Sequence, residues 1–205
     1  MPILSEPKSN LWEWRGLKVA WSITSPKKRS SISIVLIHGF GACKEHWRHN
    51  QNVFGEIAPC YAIDLIGFGE SSQPNAQLSN EPDKKDLFRY CFNNWSQLIK
   101  DFSNEIVKTP VLLIGNSIGG IISLRACQLL KDDCYGVILI DCAQRTMDDK
   151  RLFEQRIEMR LLRPLLKSLV RQRWLSQTIF KNVSKSFFIE KVLRIAYPSG
   201  KNINQ

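Results

Sequence analysis

The chain has 205 residues, 43% of them hydrophobic and 23% charged, with a formal net charge of +10. That balance belongs to a globular domain with a buried core and excludes a disordered or fibrous chain. No apolar run approaches the roughly 18 residues that span a bilayer, and Met1-Pro2-Ile3-Leu4-Ser5-Glu6-Pro7-Lys8 has neither the basic nor the apolar region of a secretory signal.

Trp12–Arg15 and Leu17–Ile23 alternate as two short strands with Gly16 at the bend. Ser33-Ile34-Val35-Leu36-Ile37 is a continuous apolar run, the pattern of a strand covered on both faces of a parallel sheet. A helix is predicted from about Glu45 to Ile57, followed by a strand at Cys60–Ile63 and a loop from Gln73 to Pro82. The next helix is predicted from about Lys84 to Val107, with Leu87, Cys91, Trp95, Leu98, Phe102 and Ile106 near helical spacing. Val111–Ile114 reads as a strand, Ser117–Leu130 as a helix, and Gly136–Ile140 as a strand ending at Asp141. Strands alternating with helices give βαβ units and a parallel sheet, entered by an antiparallel hairpin. After Thr146 the strands stop. Helical periodicity then runs through Phe153–Trp174, divided at Pro164, and again over about Phe187–Ala196.

The charge is uneven, because residues 145–205 carry 14 basic and 5 acidic side chains. This segment either lies on an anionic membrane surface, meets an acidic substrate, or is a solvated helix face whose acidic partners lie elsewhere. It carries no recognisable nucleic-acid motif, so nucleic-acid binding is not expected. Cys43, Cys60, Cys91, Cys127, Cys134 and Cys142 form no C-x-x-C and pair with no histidine at metal spacing. Reduced, buried thiols in a cytoplasmic protein are expected, and zinc is not.

Gly115-Asn116-Ser117-Ile118-Gly119-Gly120 follows the strand Val111–Ile114 and opens a helix. The pattern G-x-S-x-G suits a serine nucleophile on a sharp strand-to-helix turn, where its hydroxyl stands above the sheet beside a helix N-terminus. The alternative is a glycine-rich helix start with Ser117 as a plain N-cap. His38-Gly39-Phe40-Gly41 follows the strand ending at Ile37. A loop there can aim the Phe40 N–H at the same point as the Ile118 N–H, giving a two-donor oxyanion hole. His38 precedes the nucleophile and is expected to brace this loop rather than act as base. Gly39-x-Gly41, with Asp64 ending the next strand, also looks like part of a dinucleotide fingerprint. That motif wants a third glycine where this chain has Lys44, and it leaves Gly115–Gly120 unexplained.

Asp64-Leu65-Ile66-Gly67-Phe68-Gly69-Glu70-Ser71 is a third marker. With the other two, in this order and spacing, the sequence over about residues 10–145 resembles the α/β-hydrolase fold superfamily. Locally, Gly41–Asn50 and Gly115–Gly120 look most like its pheophytinase-like branch, linked to ester cleavage on chlorophyll derivatives. The resemblance implies an α/β fold, a mostly parallel sheet with flanking helices, in residues 10–145 and a helical cap in 146–205. It implies a serine hydrolase acting on an ester, or related acyl bond, of a hydrophobic small molecule. Ser117 is then the nucleophile and Phe40 and Ile118 the oxyanion donors, with no metal or organic cofactor. The basic cap suggests contact with an anionic membrane surface.

One departure stands beside the match. In this family the acid and histidine follow the nucleophile, carried by two βα units after the cap. Here His38, His46 and His49 all precede Ser117, so none matches the catalytic histidine. The chain is expected to lack those last two βα units. Asp141 is either an acid of the kind some members place after the sixth strand, or a strand-end residue bonded to nearby backbone. Without a base the serine is a poor nucleophile near neutral pH, so turnover is in doubt, and a catalytically dead binding or regulatory remnant, or a truncated gene product, is the alternative. In the family's sheet order the absent strands lie beside Val137–Ile140, which is therefore expected to be an unpaired apolar edge.

Overall fold

Arg15 and Gly16 take consecutive left-handed conformations, with φ of 51° and 77°. Such a two-residue turn matches strand twist, so Lys8–Trp14 (β1) folds back antiparallel on Leu17–Thr24 (β2). This hairpin opens a computed structural model that describes residues 8–26, 30–77 and 87–142. The chain divides into two compact units, Met1–Gln144 and Arg145–Gln205. The expected helices and cap of residues 146–205 lie outside the described residues.

Next come Ser33–Ile37 (β3), a tight 3₁₀ turn Lys44–Trp47 leading into Arg48–Gly55 (α1), and Cys60–Ile63 (β4). Asn75–Ala76 (β5) and Leu87–Phe88 (β6) form a small parallel ribbon. Phe92–Phe102 (α2), Val111–Asn116 (β7), Ile118–Leu130 (α3) and Cys134–Ile140 (β8) complete the first unit. The main sheet has the order β1-β2-β4-β3-β7-β8. From β4 to β8 its strands are parallel, and β2 joins β4 antiparallel. This is the α/β-hydrolase fold expected from the sequence.

The helix predicted from Lys84 starts later. Leu87 and Phe88 pair with Asn75 and Ala76, and Cys91 is extended at φ −146° and ψ 158°, so α2 begins at Phe92. Its buried positions Trp95, Leu98, Ile99 and Phe102 keep helical spacing. The helix then widens through Ser103–Val107 and stops where Lys108 turns left-handed, at φ 59°.

Every residue of β3 is buried, because both sheet faces are covered there. Val35 and Ile37 pack with α2 and α3 through Leu98, Ile99, Phe102, Ile122 and Ala126. Ile34 and Leu36 face the α1 side with Trp47, Ala58 and Cys60. Among the described residues β8 has no strand on its outer side, and Ile138, Leu139 and Ile140 are 45%, 44% and 36% exposed. No described helix is long and apolar enough to cross a membrane.

Strand register positions the rest. Ile37 lies opposite both Ile63 and Gly115, and Gly115 lies opposite Leu139. The strand ends and the residues just beyond them, His38, Asp64, Asn116-Ser117 and Ile140-Asp141, therefore leave the sheet at one level along its carboxyl rim.

Two substitutions separate core from edge. Leu113→Ala, at a fully buried site, is expected to cost about 3 kcal/mol by urea unfolding. Ile138→Lys is expected to change stability by about 0.5 kcal/mol or less while reducing self-association in size-exclusion chromatography.

Candidate active site

Ser117 has φ 53° and ψ −117° and stands at the N-cap of α3, yet its side chain makes no capping hydrogen bond. A plain N-cap serine has extended backbone and bonds into the first turn. Ser117 does neither, and its left-handed φ marks the sharp turn from β7 into α3. Its N–H donates to Ile140 O at 2.9 Å and its carbonyl accepts from Gly120 N–H at 3.1 Å. The hydroxyl has no hydrogen-bond partner among the described residues.

The glycines of the elbow are required by close approach. A Cβ at Gly115 would collide with the backbone of Gly119 and Gly120, and one at Gly119 with the carbonyls of Ile37 and His38. A Cβ at Gly39 would stand 3.2 Å from Ser117 Cβ and 2.9 Å from Asn116 Oδ1. The loop after β3 is thus pressed directly against the serine.

His38 is buried and donates from Nδ1 to Gly39 O at 2.7 Å, while its Nε2 accepts from Leu65 N–H at 3.0 Å. The amide of Leu65 can only donate, which assigns the ring proton to Nδ1. Gly39 O also accepts from Ala42 N–H at 3.3 Å. In a trans peptide the N–H points opposite the C=O, so anchoring Gly39 O fixes the plane whose other pole is the Phe40 N–H. The Phe40 ring is 78% exposed and meets Phe68 edge-on, with centroids 5.5 Å apart.

The far end of the same loop is held from the same turn. Asp64, fully buried, accepts from Lys44 N–H at 2.5 Å and Glu70 N–H at 2.9 Å, with Lys44 Nζ at 3.4 Å. Lys44 Nζ reaches Glu70 at 2.6 Å. Burial pulls the Lys44 ammonium down, but Glu70, Asp64 and Glu45 outweigh it and hold it above the ordinary lysine value. The hydrogen bond from Lys44, then that from Ser9, holds Glu70 below the usual carboxylate range. Gly69 leaves no room for a Cβ beside the Asp64 carboxylate. Ser71 Oγ donates to Asp64 O at 2.7 Å and accepts from Ala20 N–H at 2.9 Å, closing the turn. Asp64 is thus wholly engaged by the protein, the opposite of a ribose-binding acid.

Neither of the remaining histidines meets Ser117 through any hydrogen bond described. His46 Nδ1 accepts from Cys43 N–H at 3.2 Å, capping the turn into α1, and His49 is exposed on that helix. Asp141 is exposed at φ 44° and makes no hydrogen bond among the described residues. It follows Ile140, which binds the Ser117 amide, and so lies one residue from the elbow. All six cysteines are free, but only Cys60 is buried. Five are half-buried because they fall at element ends or on outward helix faces. Burial pushes the Cys60 thiol up to about 12, and burial with Cys127 beside it does the same to Cys134.

Sequence reasoning missed two participants. Asn116 lies between Gly39 and the end of β8, its Nδ2 3.5 Å from Ile140 O. Lys44 was visible only as a failed glycine; a basic residue twenty positions before a strand-end aspartate was the available signal for the pair. A cavity of about 320 Å³ opens between Gly39, Ala42, His46, Asn50, Asn116 and Ile140.

A model of the alpha/beta hydrolase family matches residues 34–198. Among curated proteins the chain is similar to a (lyso)-N-acylphosphatidylethanolamine lipase of Bos taurus, 28% identical over 59% of this chain and 33% of the relative. It is also similar to the 1-acylglycerol-3-phosphate O-acyltransferase ABHD5 of Sus scrofa, 28% identical over 60% of this chain and 30% of that protein. Among solved structures, a membrane phospholipase A superposes with a TM-score of 0.57 at 28% identity, over 67% of this chain and 40% of the other. The chain spans about a third of the length of the curated relatives it matches.

Burial, against the Gly39 carbonyl and Asp64, holds His38 below its ordinary 6.5. The unfolded chain therefore takes this proton first, and folding stability is lost as pH falls through about 6.5. The urea midpoint is expected to drop between about pH 7 and pH 5, with the acid slope reduced in His38→Gln.

Proposed function

The chain belongs to the alpha/beta hydrolase family, and from that premise we propose that it is a serine hydrolase cleaving an ester, or related acyl bond, of a hydrophobic lipid. One observation carries this reading. The left-handed Ser117 stands against the Gly39 backbone, with Ile118 opening α3 on one side and the Phe40 peptide anchored on the other. Ser117 Oγ adds to the ester carbonyl as its proton passes to a base, and the N–H groups of Phe40 and Ile118 hold the oxyanion. Collapse breaks the ester C–O bond and expels the alcohol, which takes that proton, and water then cleaves the acyl–serine ester to release the acid. The first N–H groups of a helix have no intrahelical partner, which leaves the Ile118 donor available.

The lipid substrate is supported by what the relatives' names state, a lipase, an acyltransferase and a phospholipase. The likeness of residues 41–50 and 115–120 to the pheophytinase-like branch adds chlorophyll-type esters as the finer candidate. Residues 145–205, with their excess of basic side chains, meet an anionic membrane surface from the cytoplasmic side.

A second reading has its own observation. None of the three histidines, all of them before Ser117, has a described hydrogen bond to it. On this reading none of them serves it as a base. Without one the site binds its ligand as a regulatory or scaffold protein and turns over only about 10³–10⁴-fold above the uncatalysed rate.

A fluorophosphonate probe and a panel of esters test both readings. The folded chain is expected to be labelled at Ser117, with labelling lost in Ser117→Ala. Acylated phospholipids or a chlorophyll-type ester should be cleaved in preference to a short soluble ester. Labelling without turnover selects the second reading, and no labelling of folded protein overturns the nucleophile assignment.

A further inference from the structure

Cys43 and His46 stand together where the loop 38–44 turns into the 3₁₀ segment before α1. Cys43 Sγ lies 3.6 Å from His46 Nδ1, and the Cys43 N–H donates to the same nitrogen at 3.2 Å. An amide can only donate, so Nδ1 carries no proton and presents its lone pair to both groups. The thiol is half-buried and the imidazole exposed, which leaves the pair open to a reagent from solvent. A thiol with a base within hydrogen-bond reach is the arrangement of an activated nucleophile.

The chain holds an internal control. Cys91 precedes α2 much as Cys43 precedes the turn into α1. Both have extended backbone, at φ −146°, ψ 158° and φ −149°, ψ 177°, and both are half-buried. The Cys91 side chain has no hydrogen-bond partner among the described residues, so the imidazole sets Cys43 apart. No second cysteine shares a hydrogen bond with Cys43 among the described residues, so an adduct there has no neighbouring thiol to expel it.

We infer that Cys43 is a modification site at which a low-molecular-weight disulfide forms a mixed disulfide, with His46 as the base. Cys43 Sγ attacks one sulfur of the reagent as its proton passes to His46 Nδ1. The new S–S bond forms, the old one breaks, and the departing thiolate takes that proton. Ala42 and His46 line the cavity of about 320 Å³ that also meets Gly39 and Asn116, and the next residue, Lys44, is tied to Asp64. An adduct on Sγ therefore stands beside this cavity and slows reaction at Ser117. That regulatory half rests on the function proposed above; the thiol half does not.

Treating the folded full chain with oxidised glutathione, and reading each cysteine by peptide mass spectrometry, tests the site. Cys43 is expected to be thiolated at least about tenfold faster than Cys91. His46→Gln keeps a side-chain oxygen that accepts the Cys43 N–H but removes the base. It should slow Cys43 about tenfold and leave Cys91 unchanged. Equal rates at Cys43 and Cys91 overturn the site, and an unchanged Cys43 rate in His46→Gln overturns the base. Fluorophosphonate labelling of Ser117 is expected to slow at least about tenfold after thiolation and to recover on reduction with dithiothreitol. Cys43→Ser, treated alike, should keep its untreated rate. Labelling that thiolation leaves unchanged overturns the regulation. A parent that is never labelled overturns the nucleophile assignment and the regulation with it, while the thiol result stands.

Discussion

Gly119 brings the first turn of α3 so close to the carbonyls of Ile37 and His38 that no side-chain carbon fits between them, and Gly115 and Gly39 meet their neighbours in the same way. Three backbones, from β3, β7 and α3, share one corner of the sheet. Ser117 occupies the bend at which β7 becomes α3 inside that space, with a left-handed φ of 53°. Backbone strain of this kind persists only where surrounding structure enforces it. Here the enforcement is steric from below and, from above, by hydrogen bonds.

The upper restraint is electrostatic and comes from a single turn. Asp64 and Leu65 hold the two ends of the loop 38–44, the first through Lys44 and the second through His38. A buried lysine alone would be costly, but this one faces three carboxylates. The D-x-x-G-x-G-x-S stretch is thereby explained residue by residue. Asp64 accepts the bonds, Gly67 turns at φ 96°, Gly69 clears the carboxylate, and Ser71 ties the turn to β2. Together they fix the peptide plane on which the proposed oxyanion donor depends.

Much of this was legible in the sequence for a specific reason. Fully buried parallel strands such as Ser33–Ile37 and Cys60–Ile63 leave unbroken apolar runs, and the elbow leaves glycines at fixed offsets around Ser117. The misreadings have equally specific causes. Leu87 continues the helical spacing of α2, yet its backbone pairs with Asn75, and a side-chain period cannot reveal a backbone partner twelve residues away. The partnership of Lys44 with Asp64 was hidden because charge pairing across the fold has no period at all. The cysteines were expected to be buried because their neighbours are apolar, although helix faces and strand ends expose one residue among several.

The bond from Ser117 N–H to Ile140 O joins the elbow to the last residue of the outermost described strand. Amides of β3 and β4, sealed on both faces, are expected to exchange more slowly than those along the outer row of β8, which no described strand covers. The nucleophile's own amide is latched to the carbonyl of that faster-opening strand. Each time the tip of β8 frays, the elbow loses one of its anchors, so whatever clasps that strand also governs how long the serine holds its strained posture.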